Sequence, residues 1–104
     1  RRVERTIGIR YSDDINKAIG IIYGVIEDHP FILKKPNSDI YIDEIKDGSV
    51  NIMIRVWTPS ELWYTTKREL LLEVKNALEK EGILVSIPYR VVWFANDRPN
   101  NNSN

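Results

Sequence analysis

The sequence predicts one α+β domain in which a single antiparallel sheet packs against two helices. Three observations carry that expectation. Apolar residues recur at every second position in several short stretches and with helical spacing in two longer ones, and the stretches follow the order β-α-β-β-α-β. A chain of 104 residues is long enough for one two-layer core, burying about 65% of its unfolded surface.

In the first stretch Val3, Arg5, Ile7, Ile9 and Tyr11 alternate with Glu4, Thr6, Gly8 and Arg10, giving a strand with one mostly apolar face. Ser12 is placed to cap a following helix, and Asp13 and Asp14 complement its positive N-terminal end. Ile15, Ile19, Ile22 and Ile26 form the inward stripe, and His29-Pro30 closes the helix. Phe31 to Asn37 leads to a second strand built on Ile40 and Ile42, to which Tyr41 and Ile45 are added, and Asp47-Gly48 is a hairpin-turn pair. The third strand places Val50, Ile52, Ile54 and Val56 on one face and Asn51, Met53, Arg55 and Trp57 on the other. Thr58, Pro59 and Glu61 then spell a helix start: an N-cap, a proline at the first helical position and a capping-box carboxylate. That helix is expected from about Pro59 to Glu81, with Trp63, Leu70, Val74, Ala77 and Leu78 inward and Gly82 as its C-cap. Pro88 to Phe94 reads as a last strand. The whole order is that of a ferredoxin-like sandwich, with both helices on one face of the sheet. Residues 1–89 are expected to form the α/β domain, 90–96 a separate C-terminal strand, and 97–104, which lack apolar residues to bury, a disordered tail.

Composition excludes several kinds of function. Fifteen basic and fifteen acidic residues cancel, so no net field draws a nucleic acid, and the absence of cysteine removes thiol catalysis and cysteine-ligated zinc. No apolar run reaches the roughly 20 residues that span a bilayer. The chain starts at Arg1 with its strand pattern under way by Val3, and is expected to be part of a longer product. Asp13-Asp14 is explained by helix-terminal charge, and Asp43-Glu44 lies on a strand, where neighbours point to opposite faces. His29, the single histidine, stands beside a proline without the further ligands a metal needs. No phosphate-binding glycine loop or catalytic-serine motif occurs, so neither an enzymatic activity nor a cofactor is expected. Gly20 and Gly24 are spaced for close approach of the first helix to the sheet or its neighbour.

Apolar residues in excess of core needs are more informative. The first helix adds Ile21, Tyr23 and Val25, the polar sheet face carries Met53 and Trp57, and the second helix adds Leu72. The last strand is apolar on both faces, since Arg90, Val92 and Phe94 alternate with Val91, Trp93 and Ala95. Such surface is either scattered exposure of an ordinary kind or a contact with a partner.

Four segments together resemble the small-conductance mechanosensitive channel family, in its cytoplasmic C-terminal α/β domain. They are Arg1-Arg2 leading to Ile7-Gly8-Ile9-Arg10-Tyr11-Ser12-Asp13-Asp14-Ile15, then Ile32-Leu33-Lys34, then Val50 to Trp57, and finally Glu81-Gly82-Ile83 leading to Ile87-Pro88-Tyr89. The resemblance implies a subunit of a homoheptameric channel in the cell membrane that opens under tension and releases solutes on hypoosmotic shock. This chain would then be a cytoplasmic vestibule and solute-filter element, not the pore, with membrane attachment through upstream segments. It also implies that Arg90, Val91, Val92, Trp93, Phe94 and Ala95 join an intersubunit β-barrel, which would cover their exposed edges. The family often has a second proline and a glutamine after its Pro-aromatic pair. Here Tyr89 runs straight into Arg90-Val91-Val92, so neither strand face is assigned to the barrel interior.

Other uses of a ferredoxin-like fold fit less well. An RNA-recognition module needs stacking aromatics on the open faces of the first and third strands, where Trp57 stands alone. A phosphatase cradle at Arg10 would face the carboxylates of Asp13 and Asp14. A free-standing regulatory module that binds a small ligand at a homodimer interface is the alternative, because it too would use the surplus apolar surface.

Overall fold

In the computed structural model, which describes residues 1–88, β3 (Ser49–Trp57) is the middle strand of a three-stranded antiparallel sheet ordered β1-β3-β2. Its strict alternation explains the central position: Val50, Ile52, Ile54 and Val56 are fully buried under the helices, while the residues between them line the open face. β1 (Arg2–Arg10) pairs along its whole length, with Val3 opposite Val56 and Ile7 opposite Ile52. β2 (Asp39–Lys46) pairs on the other side, with Ile40 opposite Ile54, and slips register by a bulge between Ile42 and Glu44. The β2–β3 turn is the expected Asp47-Gly48 pair. Both residues have positive φ, 54° and 75°, as a two-residue hairpin turn matching strand twist requires.

α1 (Ile15–Asp28) contributes Ala18, Ile22 and Ile26 to the core, and α2 (Trp63–Lys80) contributes Thr66, Leu70, Val74 and Leu78. The helices pack on each other and α2 packs over β1, so both lie on one face of the sheet. Each fully buried Ile or Leu here is worth about 1.5–3 kcal/mol. Truncating Ile52, at the centre of the middle strand, to alanine would cost about 2–5 kcal/mol.

Both helix starts differ from the sequence expectation. Asp14, not Ser12, is the N-cap of α1, its carboxylate accepting the Lys17 N–H at 3.0 Å. Asp13 instead turns back to accept the Arg10 N–H at 3.0 Å. Pro59 keeps an extended ψ of 144°, a short 3-10 turn (Ser60–Leu62) follows, and α2 begins only at Trp63 without a side-chain cap. The reason is tertiary. Thr58 is fully buried, and its hydroxyl donates to the Phe31 carbonyl at 2.8 Å and meets the Thr66 hydroxyl at 3.1 Å, leaving it unavailable to a helix terminus.

The end of α2 matches its expectation. Gly82 has φ of +82°, its N–H donates to the Glu79 carbonyl, and the Ile83 N–H reaches back to the Leu78 carbonyl, both at 3.0 Å. This is a Schellman closure, and it delivers Ile83 into the core beside the residue it bonds. Gly20 and Gly24 do not serve close packing: a Cβ at either would meet nothing within 4 Å. Both lie on the exposed side of α1.

Candidate functional site

The residues expected to form a site, Arg90 to Ala95, lie outside the described residues, as does all but Pro88 of the expected last strand. What the structure does place is the path leading to them. After Ile83, Ser86 comes alongside the outer edge of β1 and exchanges both backbone hydrogen bonds with Gly8, at 2.7 and 2.8 Å. This is the fourth-strand position of the ferredoxin-like order. A glycine opposite makes room for it: a Cβ on Gly8 would stand 2.6 Å from the Ser86 hydroxyl oxygen, which would have to turn aside.

Pairing on β1 cannot continue in the same way. Doubly bonded pairs in an antiparallel ladder recur every second residue, so the next one would set Pro88 against Thr6, and proline has no N–H to donate. Alternation along β1 points the backbone groups of Glu4 and Thr6 outward on this side. Among the described residues they have no backbone partner there, whereas the Arg2 carbonyl is taken by the Trp63 indole N–H at 2.8 Å. Among the described residues, the outer edge of β1 is thus bonded at Gly8 and Arg2 and unpaired between them.

The other candidate chemistry resolves into local structure. Arg10, considered as a phosphate ligand, is held by Asp13 through a guanidinium–carboxylate contact of 3.1 Å. On the open sheet face Arg55 donates to Glu4 at 2.7 Å and to the Tyr41 hydroxyl at 3.3 Å. Tyr41 therefore joins Trp57 on that face, an aromatic that reading β1 and β3 alone had missed. A concavity nearby is bordered by Asp43, Glu44 and Asp47 together with Thr6, Asn51 and Met53, an electronegative rim unsuited to a polyanion.

One cluster was not foreseen. His29 caps α1 and is buried, and its Nε2 lies 3.1 Å from a Glu69 carboxylate oxygen, with Glu73 one helical turn further along α2. The i,i+4 spacing of the two glutamates was the available signal; the fold supplied the histidine. As a metal site the set does not fit. His29 Nδ1 accepts the Phe31 N–H at 3.1 Å, which puts the ring proton on Nε2, the atom that faces the carboxylates. The N–H direction misses a hydrogen bond with Glu69, leaving Nε2 without a partner of good geometry. The cluster ties the end of α1 to α2 by attraction between a polarised N–H and a carboxylate.

Fold and site together define a class of protein: an α+β sandwich that, among the described residues, has unpaired strand edges and no reaction centre. The comparisons identify it further. The family model described as "Mechanosensitive ion channel MscS, C-terminal" matches residues 3–85, and the chain belongs to that family. An MscS family protein of Archaeoglobus fulgidus is 55% identical over 97 residues, covering 93% of this chain and 34% of the relative. The small-conductance mechanosensitive channel MscMJ of Methanocaldococcus jannaschii is 30% identical over 103 residues, covering 93% of this chain and 29% of the relative. Among solved structures, the closed-state crystal structure of Helicobacter pylori MscS superimposes with a TM-score of 0.75 at 32% identity, covering 91% of this chain and 37% of that one. The chain thus spans about a third of the length of the relatives it matches. The family is one of channels, not of enzymes.

Proposed function

We propose that this chain forms the cytoplasmic vestibule wall of a mechanosensitive channel subunit, part of a homoheptamer in the cell membrane that opens under tension and releases solutes on hypoosmotic shock. The observation that carries the reading is the family match across residues 3–85. In this reading the domain assembles and filters; it does not conduct. No helix among the described residues is long and apolar enough to cross a membrane, so the pore would be supplied by other parts of the subunit. The stretch of β1 edge left unpaired among the described residues, and the proline set against it, support a division of labour. In that division residues 1–89 would form the sandwich and residues 90–95 would serve contacts between copies.

The test uses the full-length subunit, expressed in cells that lack tension-gated channels. Survival of osmotic downshock and tension-activated currents in excised patches are expected, and their absence from a well-expressed protein would overturn the reading. Within that protein, Trp93→Asp is expected to weaken assembly by 2 kcal/mol or more, roughly the effect of losing a central interface aromatic. The circular dichroism of the domain should stay unchanged. An unaltered oligomer mass by light scattering would remove residues 90–95 from the interface.

A further inference from the structure

Formal neutrality conceals a separation of charge across the sandwich. β1 and β2 flank β3 on opposite sides. On the β1 side, α2 is anchored by Trp63, whose indole bonds to Arg2, and it turns Glu69 toward His29 of α1. At 100° per residue, Tyr64, Lys67 and Arg68 then lie on the flank away from α1. Cations stack on the aromatics of this flank: Arg1 lies 4.0 Å and Lys67 4.9 Å from the Trp63 ring centre, and Arg68 lies 4.9 Å from that of Tyr64. Among the described residues no carboxylate pairs with Lys67 or Arg68, and Tyr64 is 63% exposed.

The β2 edge is its complement. Asp39, Asp43, Glu44 and Asp47 outnumber Lys46, and none of the four is in an ion pair among the described residues. Ile42 and Ile45 pair with Ile52 and Val50, so they share the helix-bearing side of the sheet, yet they are 42% and 54% exposed because the helix layer does not reach them. The bulge at Asp43 interrupts the regular edge, which disfavours the addition of a further strand and favours contact through side chains.

We propose that these two flanks meet between neighbouring copies, Lys67 and Arg68 of one against Asp43, Glu44 and Asp47 of the next, with Tyr64 over Ile42 and Ile45. The inference rests on the ring assembly proposed above and names the faces that build it. Two different surfaces on opposite sides of one sandwich make a heterologous, head-to-tail contact, the kind that builds a ring when its rotation closes and not a two-fold pair.

The experiment uses the full-length subunit in detergent. Lys67→Glu with Arg68→Glu, or Asp43→Lys with Glu44→Lys, is expected to weaken assembly by about tenfold or more, and all four changes in one chain to restore it. Cysteines confined to positions 68 and 44 test the geometry without charge reversal. Arg68→Cys together with Glu44→Cys should cross-link into a ladder of multimers, and neither change alone should do so. A parent ring of normal mass with no ladder, or dimers from one single-cysteine variant, would overturn the pairing of flanks while leaving the ring reading intact. A parent protein no larger than a dimer would overturn both. Anionic vesicles bound by the parent and released by Lys67→Glu/Arg68→Glu, with ring mass unchanged, would assign the flank to a membrane surface and also overturn the proposal.

Discussion

Replacing Thr58 with valine preserves the volume and branching of a fully buried side chain while deleting its hydroxyl. That hydroxyl is the hydrogen-bond donor to the Phe31 carbonyl at 2.8 Å and a partner of the Thr66 hydroxyl at 3.1 Å. The valine variant leaves a carbonyl without its bond at the junction of connector and α2, which costs about 1–3 kcal/mol. The Thr66 hydroxyl loses its partner as well, but a helical threonine can turn to the carbonyl four residues earlier, so its share is smaller. The expected total is about 2–3 kcal/mol, or roughly 8–24 °C in melting temperature for a domain of this size. Thr66→Val should cost about 1 kcal/mol or less, because Thr58 would still hold Phe31. The double variant should fall short of the sum, since the two share one bond. Urea unfolding of the four proteins followed by circular dichroism measures all three quantities. A loss below about 0.5 kcal/mol for Thr58→Val, or full additivity with Thr66→Val, would refute the assignment of Thr58 as a buried tie.

Two further predictions concern the C-terminal end of α2. Gly82→Ala forces a side chain into a φ of +82° and should cost about 1–2 kcal/mol, read by thermal unfolding, with no offsetting gain in contacts. The Glu79 carboxylate is held below the usual range by its hydrogen bonds from Lys75 and from the Val85 N–H. Its folded pKa is depressed, so its contribution is fully present above the unfolded value and lost as pH falls through the folded one. Glu79→Gln should therefore be less stable than the parent at pH 7, and the difference should shrink on acidification below about pH 4. A difference independent of pH would exclude the carboxylate as its source.

The element order and the core were legible from the chain because alternation and helical spacing record which side of each element is covered. Val50 to Val56 needed no further information: Val50, Ile52, Ile54 and Val56 had to share one environment, and they do. The Asp47-Gly48 turn and the Gly82 closure were equally local, each set by a backbone conformation that few residues adopt. The start of α2 looked just as local and was misread. Thr58-Pro59-Ser60-Glu61 is a sound capping sequence, but a cap needs the hydroxyl oxygen as acceptor, and with its proton given to the Phe31 carbonyl that buried oxygen faces the Thr66 hydroxyl instead of a backbone N–H.

Sequence alone, then, determined the two-layer α+β sandwich, its turns and the identity of its core, because those follow from the chemistry of near neighbours. Tertiary structure decided which partners the element ends take and which surfaces the helices leave uncovered. Pro88 interrupts pairing only because Ser86 is set against Gly8, and Ile42 and Ile45 are exposed only because the helices stop short of them. Charge followed the same rule. A chain with equal numbers of acids and bases has no net field, yet folding gathers Lys67 and Arg68 on one flank and Asp43, Glu44 and Asp47 on the other, since where a charge sits depends on contacts between residues far apart in sequence.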